Sequence, residues 1–355
     1  MTTMAIDNKD KKVLNVPHLR FPEFSGEWEN TELQYIAPNI CSGKDKPTSN
    51  GTVALYGSTG IIGMTRLASY NEEIVLVARV GANAGQLQIT TIPCGVTDNT
   101  LIINAKEWNR YIYYYLQHYN LNRLVFGSGQ PLITGSMLKK LKIIYGEESE
   151  RNKIVNLLCL LDERIATQNK IIDKLQSLIK GIAQNIVSNN KPNIRLSDCL
   201  DCSSSTLQES DVCETGIYPV YGANGIVGYL DNYNTEGEAV YIIKDGSGVG
   251  TVSYATGKCS ATGTLNTLQA KDGYSLQYLY YILKVFNFEP YKTGMAIPHI
   301  YFKDYGKAKI FCPSYTEQLR YARLQSAIDS KLSVEKNILT SLSSQKQYLL
   351  RQMFI

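Results

Sequence analysis

Cys199, Cys202 and Cys213 form the tightest group of possible metal ligands in this chain of 355 residues. The spacing of the first two is one with which many structural zinc sites begin. A tetrahedral site needs a fourth ligand, and none of the three histidines lies near the group in sequence. The eight cysteines are otherwise scattered through a long chain without a secretory leader, which favours reduced thiols. We therefore expect no bound metal.

The glycine-rich stretch that begins at Asp245, "DGSGVGTV", is the second candidate for chemistry, as a nucleotide-binding loop. Its glycines follow the pattern G-x-G-x-G, whereas dinucleotide loops read G-x-G-x-x-G, and the chain has no GxxxxGK[ST] motif. Glycines in a region rich in Ser and Thr are also typical of turns and bulges. We expect no cofactor on this chain.

The sequence also lacks the usual motifs of hydrolases, nucleases and methyltransferases. There is no Glu-x-Lys arm for metal-dependent cleavage of DNA, no Asn/Asp-Pro-Pro-aromatic motif, no G-x-S-x-G and no HExxH. Asp-x-Lys occurs near the N-terminus and at Asp329, in a segment with the pattern of a long helix. The sequence therefore predicts a binding protein and not an enzyme.

The elements that would position a binding site occur twice. Residues 55–63 read "LYGSTGIIG" and residues 220–228 read "VYGANGIVG", an offset of 165. After a slip of two residues the offset becomes 167, pairing "YIYYYLQ" from Tyr111 with "YLYYILK" from Tyr278. A repeat of this length indicates a duplicated domain.

Each copy begins with a region of short apolar runs between turn signals, which predicts strands, interrupted by one helix near Glu107–Asn120 or Ser275–Phe286. A long segment with helical periodicity follows. The fold class predicted is α+β, with two similar mixed α/β domains separated by two long antiparallel coiled-coil helices related by an approximate twofold axis. The predicted boundaries are 1–146 and 191–314 for the domains and 147–190 and 315–355 for the helical spacers.

The helical segments keep an apolar spacing of three and four residues that only Gln168 breaks in the first copy. One interpretation is that each helix belongs only to the core of its own domain, and the other is that the two helices pair. The predicted interface residues are Ile154, Leu158, Leu161, Ile165, Ile172, Leu175, Ile179, Leu324, Ile328, Leu332, Leu339, Leu342 and Leu349.

Charge and hydropathy limit the possible partners. No run approaches the roughly 18 apolar residues of a membrane span, and the polar start has no leader-like apolar region, so we expect a cytoplasmic protein. The formal net charge is +4, which is too low to indicate nucleic acid by itself. Any contact with DNA must be local.

Several stretches together resemble the specificity subunit of type I restriction–modification systems. They are "VPHLRFPEFSGEWE", the paired "YGxxGIxG" motifs, the "GSGQP" and "GMAIP" turns, "PSYTEQLRYARLQSAIDSKL" and the closing "LLRQMFI". The resemblance covers nearly the whole chain. One departure is "YGEESERNKI", which lacks the Pro and Gln that precede the second helix and leaves the start of the first helix open.

The resemblance implies that each domain recognises one half of a split double-stranded DNA site and that the helices set the spacer between the halves. It also implies docking to two modification subunits, which carry S-adenosylmethionine, and to two restriction subunits, which use ATP and Mg²⁺. The rival interpretation is an adaptor without catalytic activity whose two domains bind carbohydrate or peptide.

Positions that differ between the copies are candidates for reading different bases, since Asn and Gln suit adenine whereas Arg and Lys suit guanine. An alternative for each position is that it lies on a surface loop and has no role in binding. The base-reading candidates are Ser58, Thr59, Arg79, Asn83 and Gln130 in the first copy and Ala223, Asn224, Lys244 and Met295 in the second. The candidates for phosphate contacts are Lys44, Lys46, Arg66, Arg123, Lys292 and Lys303.

Overall fold

The computed structural model describes residues 15–125, 131–294 and 296–355. The chain divides into two units. Unit 1 consists of the described residues up to Thr167 together with Leu339–Ile355, and unit 2 consists of Gln168–Ile338.

The first half of the described chain contains nine strands and four α-helices. They are β1 (Glu29–Glu32), α1 (Leu33–Ile36), β2 (Cys41–Ser42), β3 (Val53–Gly57), β4 (Gly60–Thr65), β5 (Val75–Ala78), β6 (Leu87–Ile89), β7 (Cys94–Val96), β8 (Thr100–Ile103), α2 (Asn109–Tyr119), α3 (Gly135–Lys139), β9 (Lys142–Tyr145) and α4 (Glu148–Ser188). Short 3-10 turns lie at Lys106–Trp108 and Leu121–Leu124.

The second half repeats this order. Its elements are β10 (Ile194–Arg195), α5 (Leu196–Cys199), β11 (Leu200–Ser204), β12 (Tyr218–Gly222), β13 (Gly225–Leu230), β14 (Glu238–Ile243), β15 (Val252–Thr256), β16 (Ser260–Ala261), β17 (Leu265–Ala270), α6 (Leu276–Leu283), α7 (Phe302–Tyr305), β18 (Lys309–Ile310) and α8 (Tyr315–Gln352). Its 3-10 turns lie at Glu209–Asp211 and Glu289–Tyr291.

Two larger sheets build unit 1. An antiparallel sheet has the strand order β2-β8-β5-β6, and a second has the order β4-β3-β7, in which β3 pairs in parallel with β7. All four residues of β5 are buried because both of its faces are covered. Val75 and Val77 pack into the core with α2, and Leu76 packs against Tyr56 and Val96 of the second sheet.

Unit 2 has the same topology, with the strand orders β11-β17-β14-β15 and β13-β12-β16. Its central strand β14 is also covered on both faces. Val240 and Ile242 join the core with α6, whereas Ala239 and Tyr241 join a cluster between the sheets. The predicted duplication and α+β class are thus confirmed at the level of strand order.

The tyrosine-rich motif fixes the interrupting helix in the same way in each unit. In the first copy Tyr111 donates to the carbonyl of Ile144 at 2.8 Å, and Tyr114 donates to Asp162 of α4 at 2.9 Å. The counterparts in the second copy are the bonds from Tyr278 to Phe311 at 2.9 Å and from Tyr281 to Asp329 of α8 at 2.8 Å. Buried phenol hydroxyls need such acceptors, which explains why both copies keep these tyrosines.

The two long helices, α4 with 41 residues and α8 with 38, are confirmed. In unit 1, Leu158 of α4 and Phe354 beyond the end of α8 lie in one core. In unit 2, Gln168 of α4 bonds to Glu335 of α8, and Ile179 further along α4 accepts a bond from Gln325. From Gln168 to Ile179 the residue numbers of α4 rise, while those of the bonded residues of α8 fall from 335 to 325. The helices are therefore antiparallel within this unit.

Helix α4 begins at Glu148, and a buried ionic contact lies in its first turn. Glu150 is 0% exposed and accepts bonds from the Arg20 guanidinium and from Trp28 Nε1. In the second copy the buried Gln318 instead accepts from the backbone of Ser275, the cap of α6, and donates to Pro313. The two helices therefore start through different contacts.

None of the helices in the described ranges is both long and apolar enough to cross a membrane.

Candidate nucleic-acid interface

Each unit has a β-hairpin whose tip consists of predicted base-reading residues. Strands β3 and β4 are joined through Ser58 and Thr59, and strands β12 and β13 through Ala223 and Asn224. Thr59 and Asn224 are exposed, and Ser58 is half-buried. Ala223 packs against the cluster between the two sheets of unit 2, so its side chain supports the tip.

A β-bulge at the same place in both hairpins explains one pair of identical letters in the repeat. The strand register shifts between Leu55 and Tyr56 in unit 1 and at the corresponding step in unit 2. Next to this bulge in unit 1, the side chain of Ile62 on the following strand lies over Gly57. A β-carbon on Gly57 would lie 2.9 Å from the exposed side chain of Ile62 and would displace it, which favours glycine at this position.

In unit 1, two base-reading candidates meet at the carbonyl of Asn99. This oxygen accepts from the Ser58 hydroxyl at 3.2 Å and from the backbone N–H of Arg79 at 3.0 Å. The Arg79 guanidinium reaches Ser42 Oγ at 3.3 Å. The fold thus gathers Ser58 and Arg79, which lie 21 residues apart in sequence, on one side of unit 1.

Gln88 braces this hairpin tip, a role that the sequence did not reveal. Its side-chain amide donates to the carbonyls of Gly57 at 3.0 Å and Ser58 at 2.9 Å. Without these two bonds the carbonyls at the tip would lack a partner and could change orientation, whereas their bonds to one side chain fix the orientation of the tip. Gln88 is therefore a positioning residue for the tip.

Asn83 and Arg123 lie on a neighbouring part of unit 1. Asn83 is exposed on the connection between β5 and β6, and Arg123 is exposed on the 3-10 turn that follows α2. The two segments approach each other, since a β-carbon on Gly85 would lie 3.1 Å from Asn122 Oδ1.

The other predicted phosphate contacts of unit 1 are exposed lysine and arginine side chains. Lys44 and Lys46 flank Asp45, whose carboxylate accepts the backbone N–H of Val96 at 2.7 Å. Arg66 is exposed as well, and its guanidinium donates to a backbone carbonyl at 3.2 Å.

Arg79 and Lys244 occupy the same backbone position in the two units. Each donates its N–H to one counterpart residue, and its carbonyl accepts from another. In unit 1 the Arg79 N–H donates to the Asn99 carbonyl at 3.0 Å, and the Arg79 carbonyl accepts from the Ile133 N–H at 2.9 Å. In unit 2 the Lys244 N–H donates to the Thr264 carbonyl at 3.0 Å, and the Lys244 carbonyl accepts from the Ile300 N–H at 2.9 Å. The same scaffold therefore presents a guanidinium in one unit and an ammonium in the other.

Next to Lys244 lies a histidine–carboxylate pair that sequence reasoning missed. His299 Nδ1 is 2.6 Å from Asp245 Oδ1, and each side chain is about a third exposed. The counterparts in the repeat are the apolar residues Val80 and Leu132, whose backbones form the same isolated antiparallel β-bridge as those of Asp245 and His299. The available signal was that His299 is one of only three histidines.

The predicted phosphate contacts of unit 2, Lys292 and Lys303, flank His299 along the chain. Lys292 bonds to Glu289 at 2.6 Å. Lys303 lies 5.3 Å from the ring centroid of Tyr301, which is 48% exposed. An exposed ring beside a cation can stack on a base or line a groove. Gln130 and Met295, the remaining base-reading candidates, lie outside the described residues.

The predicted helix-interface residues differ in burial. Ile154, Leu158, Leu161, Ile172, Ile179, Leu332 and Leu342 are buried, and Ile165, Leu175, Ile328, Leu339 and Leu349 are half-buried. Leu324 is 51% exposed, whereas the nearby Ala322 and Gln325 are buried. At Leu324 the apolar stripe read from the sequence therefore departs from the buried face of α8.

The described residues contain no group of three or more His, Cys, Asp or Glu side chains placed to hold a metal ion. Burial raises the pKa of Cys199 to about 12 and that of Cys202 to about 11, where the Lys244 ammonium partly opposes the effect. Without a metal both groups are therefore thiols at neutral pH.

These surfaces present cationic, hydroxyl and amide groups on loops held by well-bonded sheets. Such groups can bond to base edges and phosphates from outside.

Comparison with known families gives a match over most of the chain. The model of the type I restriction modification DNA specificity domain matches residues 12–177 and again residues 192–344. A Mycoplasma genitalium protein named as a type I specificity subunit is 26% identical over 309 residues, 78% of this chain and 79% of its own length. The specificity subunit of the type I restriction enzyme EcoprrI from Escherichia coli is 28% identical over 117 residues, 33% of this chain and 29% of its own length.

Two solved structures share the fold. The S subunit of a type I restriction–modification system from M. genitalium aligns with a TM-score of 0.73 and 19% identity, covering 96% of this chain and 99% of its own. A chain from a study of type I system assembly and conformational transition aligns with a TM-score of 0.53 and 15% identity, covering 94% of this chain and 98% of its own.

Proposed function

The chain belongs to the type I restriction–modification DNA specificity family, and from this premise we propose that each of its units reads one half of a split double-stranded DNA site. A specificity subunit selects DNA and is not itself an enzyme. Membership of this family favours DNA over the carbohydrate or peptide ligands of the rival adaptor interpretation.

The observation that carries the proposal is the equivalence of Arg79 and Lys244. Two units with the same strand order hold these residues with matching backbone hydrogen bonds, yet they present different cations. A guanidinium can bond in a bidentate way to a base edge, whereas an ammonium acts as a point charge. Duplicated scaffolds with different reading groups suit a site whose two halves differ in sequence.

We further propose that residues 1–146 and 191–314 are the recognition domains and that 147–190 and 315–355 are the helical spacers. The helices would set the number of base pairs between the half-sites and dock two modification and two restriction subunits. This role is supported by the length of α4 and α8 and by the apolar residues along them.

Cofactors in this proposal belong to the partner subunits, S-adenosylmethionine to the modification subunits and ATP with Mg²⁺ to the restriction subunits. The purified chain should therefore neither cut nor methylate DNA when all three are supplied. Such a complex would act on cellular DNA in the cytoplasm.

The test is a map of methylated bases in cells that hold the chain and its modification partner, with and without the gene. We expect one split motif that disappears on deletion. A set of methylated motifs unaffected by deletion would overturn the proposal. Binding of the assembled complex to the motif should also weaken steeply with salt because lysines and arginines displace counterions from phosphates.

A further inference from the structure

Gln168, the residue that interrupts the apolar stripe of α4, forms a buried polar contact with Glu335 of α8. Its side-chain amide donates to the Glu335 backbone carbonyl at 3.0 Å and to a Glu335 carboxylate oxygen. The two residues are only 8% and 6% exposed. The Glu335 carboxylate also pairs with Lys331 one turn earlier on α8.

The two residues are also counterparts in the repeat, since they are separated by the offset of 167. Along an antiparallel pair of equivalent helices, a residue meets its own counterpart at only one level. The Gln168–Glu335 contact lies at this level. A second polar residue of α8, Gln325, is 0% exposed and donates to the Ile179 carbonyl at 3.2 Å.

The neighbours of Glu335 on α8 show why a polar contact matters here. Leu332 lies three residues before it and Leu339 four residues after it, both on the predicted apolar stripe. A slip of α8 by one turn would place one of these leucines beside Gln168 and leave a buried amide without a partner. Leucine against leucine, in contrast, packs acceptably in several registers, which is why single polar residues specify register in coiled coils.

We propose that Gln168 and Glu335 are positioning residues that fix the register of α4 against α8 and so hold the spacer of the recognised DNA to one length. This inference rests on the proposed function. A slip of one helical turn moves the helices by about 5.4 Å along their axes, close to the rise of one to two base pairs at about 3.4 Å each. Loss of the contact therefore changes spacer length without touching the bases read.

The test is the double substitution Gln168→Leu with Glu335→Leu in the full chain. Helix register is measured by the distance between two spin labels, which are attached to cysteines introduced at exposed positions by Lys174→Cys and Ser330→Cys. The exposed Cys41 and Cys213 are replaced by serine so that they are not labelled. Spacer length is measured from the methylated motif in cells. We expect the double variant to melt no lower than the parent, to show a second label distance and to methylate a second motif with a spacer changed by about one or two base pairs.

Two further variants separate register from packing. Glu335→Gln keeps an acceptor for Gln168 and should retain one distance and one spacer. Gln184→Leu with Glu163→Leu adds the same apolar groups at exposed positions of α4 and should also change neither readout. If the double variant does not fold, Gln168→Leu alone, which leaves the Glu335–Lys331 pair intact, is measured in the same way.

A single label distance in the leucine variants would overturn the assignment of register to this contact. Two distances with an unchanged spacer would overturn its link to DNA. Absence of any split motif with the parent chain would instead reject the proposed function, while the label distances would still decide whether the contact sets register.

Discussion

Glu150 accepts the Arg20 guanidinium through both carboxylate oxygens, at 2.7 and 2.8 Å, and is fully buried where α4 begins. Arg20 lies 130 residues earlier in the chain. The contact therefore ties the start of the described chain to the long helix of unit 1. At the offset of 167 the counterpart of Glu150 in the second copy is the exposed Glu317, and the buried polar residue there is the next one along, Gln318.

Glu150→Ala should lower the free energy of unfolding by about 1–3 kcal/mol, because it removes the ionic partner of Arg20 and leaves the buried Trp28 Nε1 without its acceptor. Urea unfolding measures the loss. The control is Glu23→Ala, which removes an exposed partner of Lys153 and should cost no more than about 1 kcal/mol. Equal effects of the two substitutions would contradict the account.

The stability that Glu335 contributes should depend on pH. Hydrogen bonds from Lys331 and then Gln168 lower the pKa of Glu335 in the folded chain. Its contribution is therefore complete above the pKa of the unfolded chain and is lost as the pH falls through the lower, folded pKa. We expect the difference in Tm between the parent and Glu335→Gln to be present at neutral pH and to vanish in acid. A difference that is the same at every pH would speak against an ionised carboxylate.

Arg79→Ala and Lys244→Ala should affect different halves of the DNA site. Each removes a cation at the same scaffold position, and loss of a base contact is worth about 1–3 kcal/mol of discrimination. Selection from randomised DNA by the assembled complex should show relaxed specificity in one half with the first variant and in the other half with the second. Relaxation of the same half by both variants would be incompatible with one half per unit.

Lys46→Ala is the matched control for these two substitutions, because it removes an exposed cation predicted to meet phosphate. It should weaken binding to all sequences alike and reduce the slope of log affinity against log salt by about one. A change in base preference would show that Lys46 reads sequence instead.

Gln88→Ala should impair recognition by unit 1 without removing a predicted base contact. The substitution frees the carbonyls of Gly57 and Ser58, so the hairpin tip loses its fixed direction. We expect weaker discrimination in the half-site read by unit 1 and an unchanged second half. Gln86→Ala, at an exposed position two residues earlier, should leave both halves intact. Unchanged discrimination with Gln88→Ala would remove the bracing role.

The repeat predicted the fold well because residues at counterpart positions make the same structural contacts in both units. The motif at Tyr111 and Tyr278 anchors equivalent helices by equivalent bonds, and the aligned Arg79 and Lys244 share their backbone partners. The identical tyrosines are present in both copies because each buried hydroxyl needs an acceptor and each unit offers the same one. They are visible in one sequence because the chain contains its own comparison.

The same comparison could not reveal features present in only one copy. The Asp245–His299 pair has apolar counterparts, and its members lie 54 residues apart, so neither repeat nor spacing indicates it. In the sequence Gln168 only interrupts an apolar stripe, because the partner that explains it, Glu335, lies on another helix. Leu324 fits a helical period yet is exposed, because a period alone does not show which face is buried.

The central claim is that recognition belongs to the two domains and spacing to the helices. Its most direct test is the methylated motif of cells whose chain carries four additional residues after Lys170, with a matching insertion after Asn337. Four residues lengthen a helix by about 6 Å and nearly preserve its rotational phase, close to the rise of two base pairs. The account predicts the same two half-sites separated by a spacer longer by about two base pairs, with the stutter absorbed by local unwinding. A functional mutant whose half-site bases change while its spacer stays the same would contradict it.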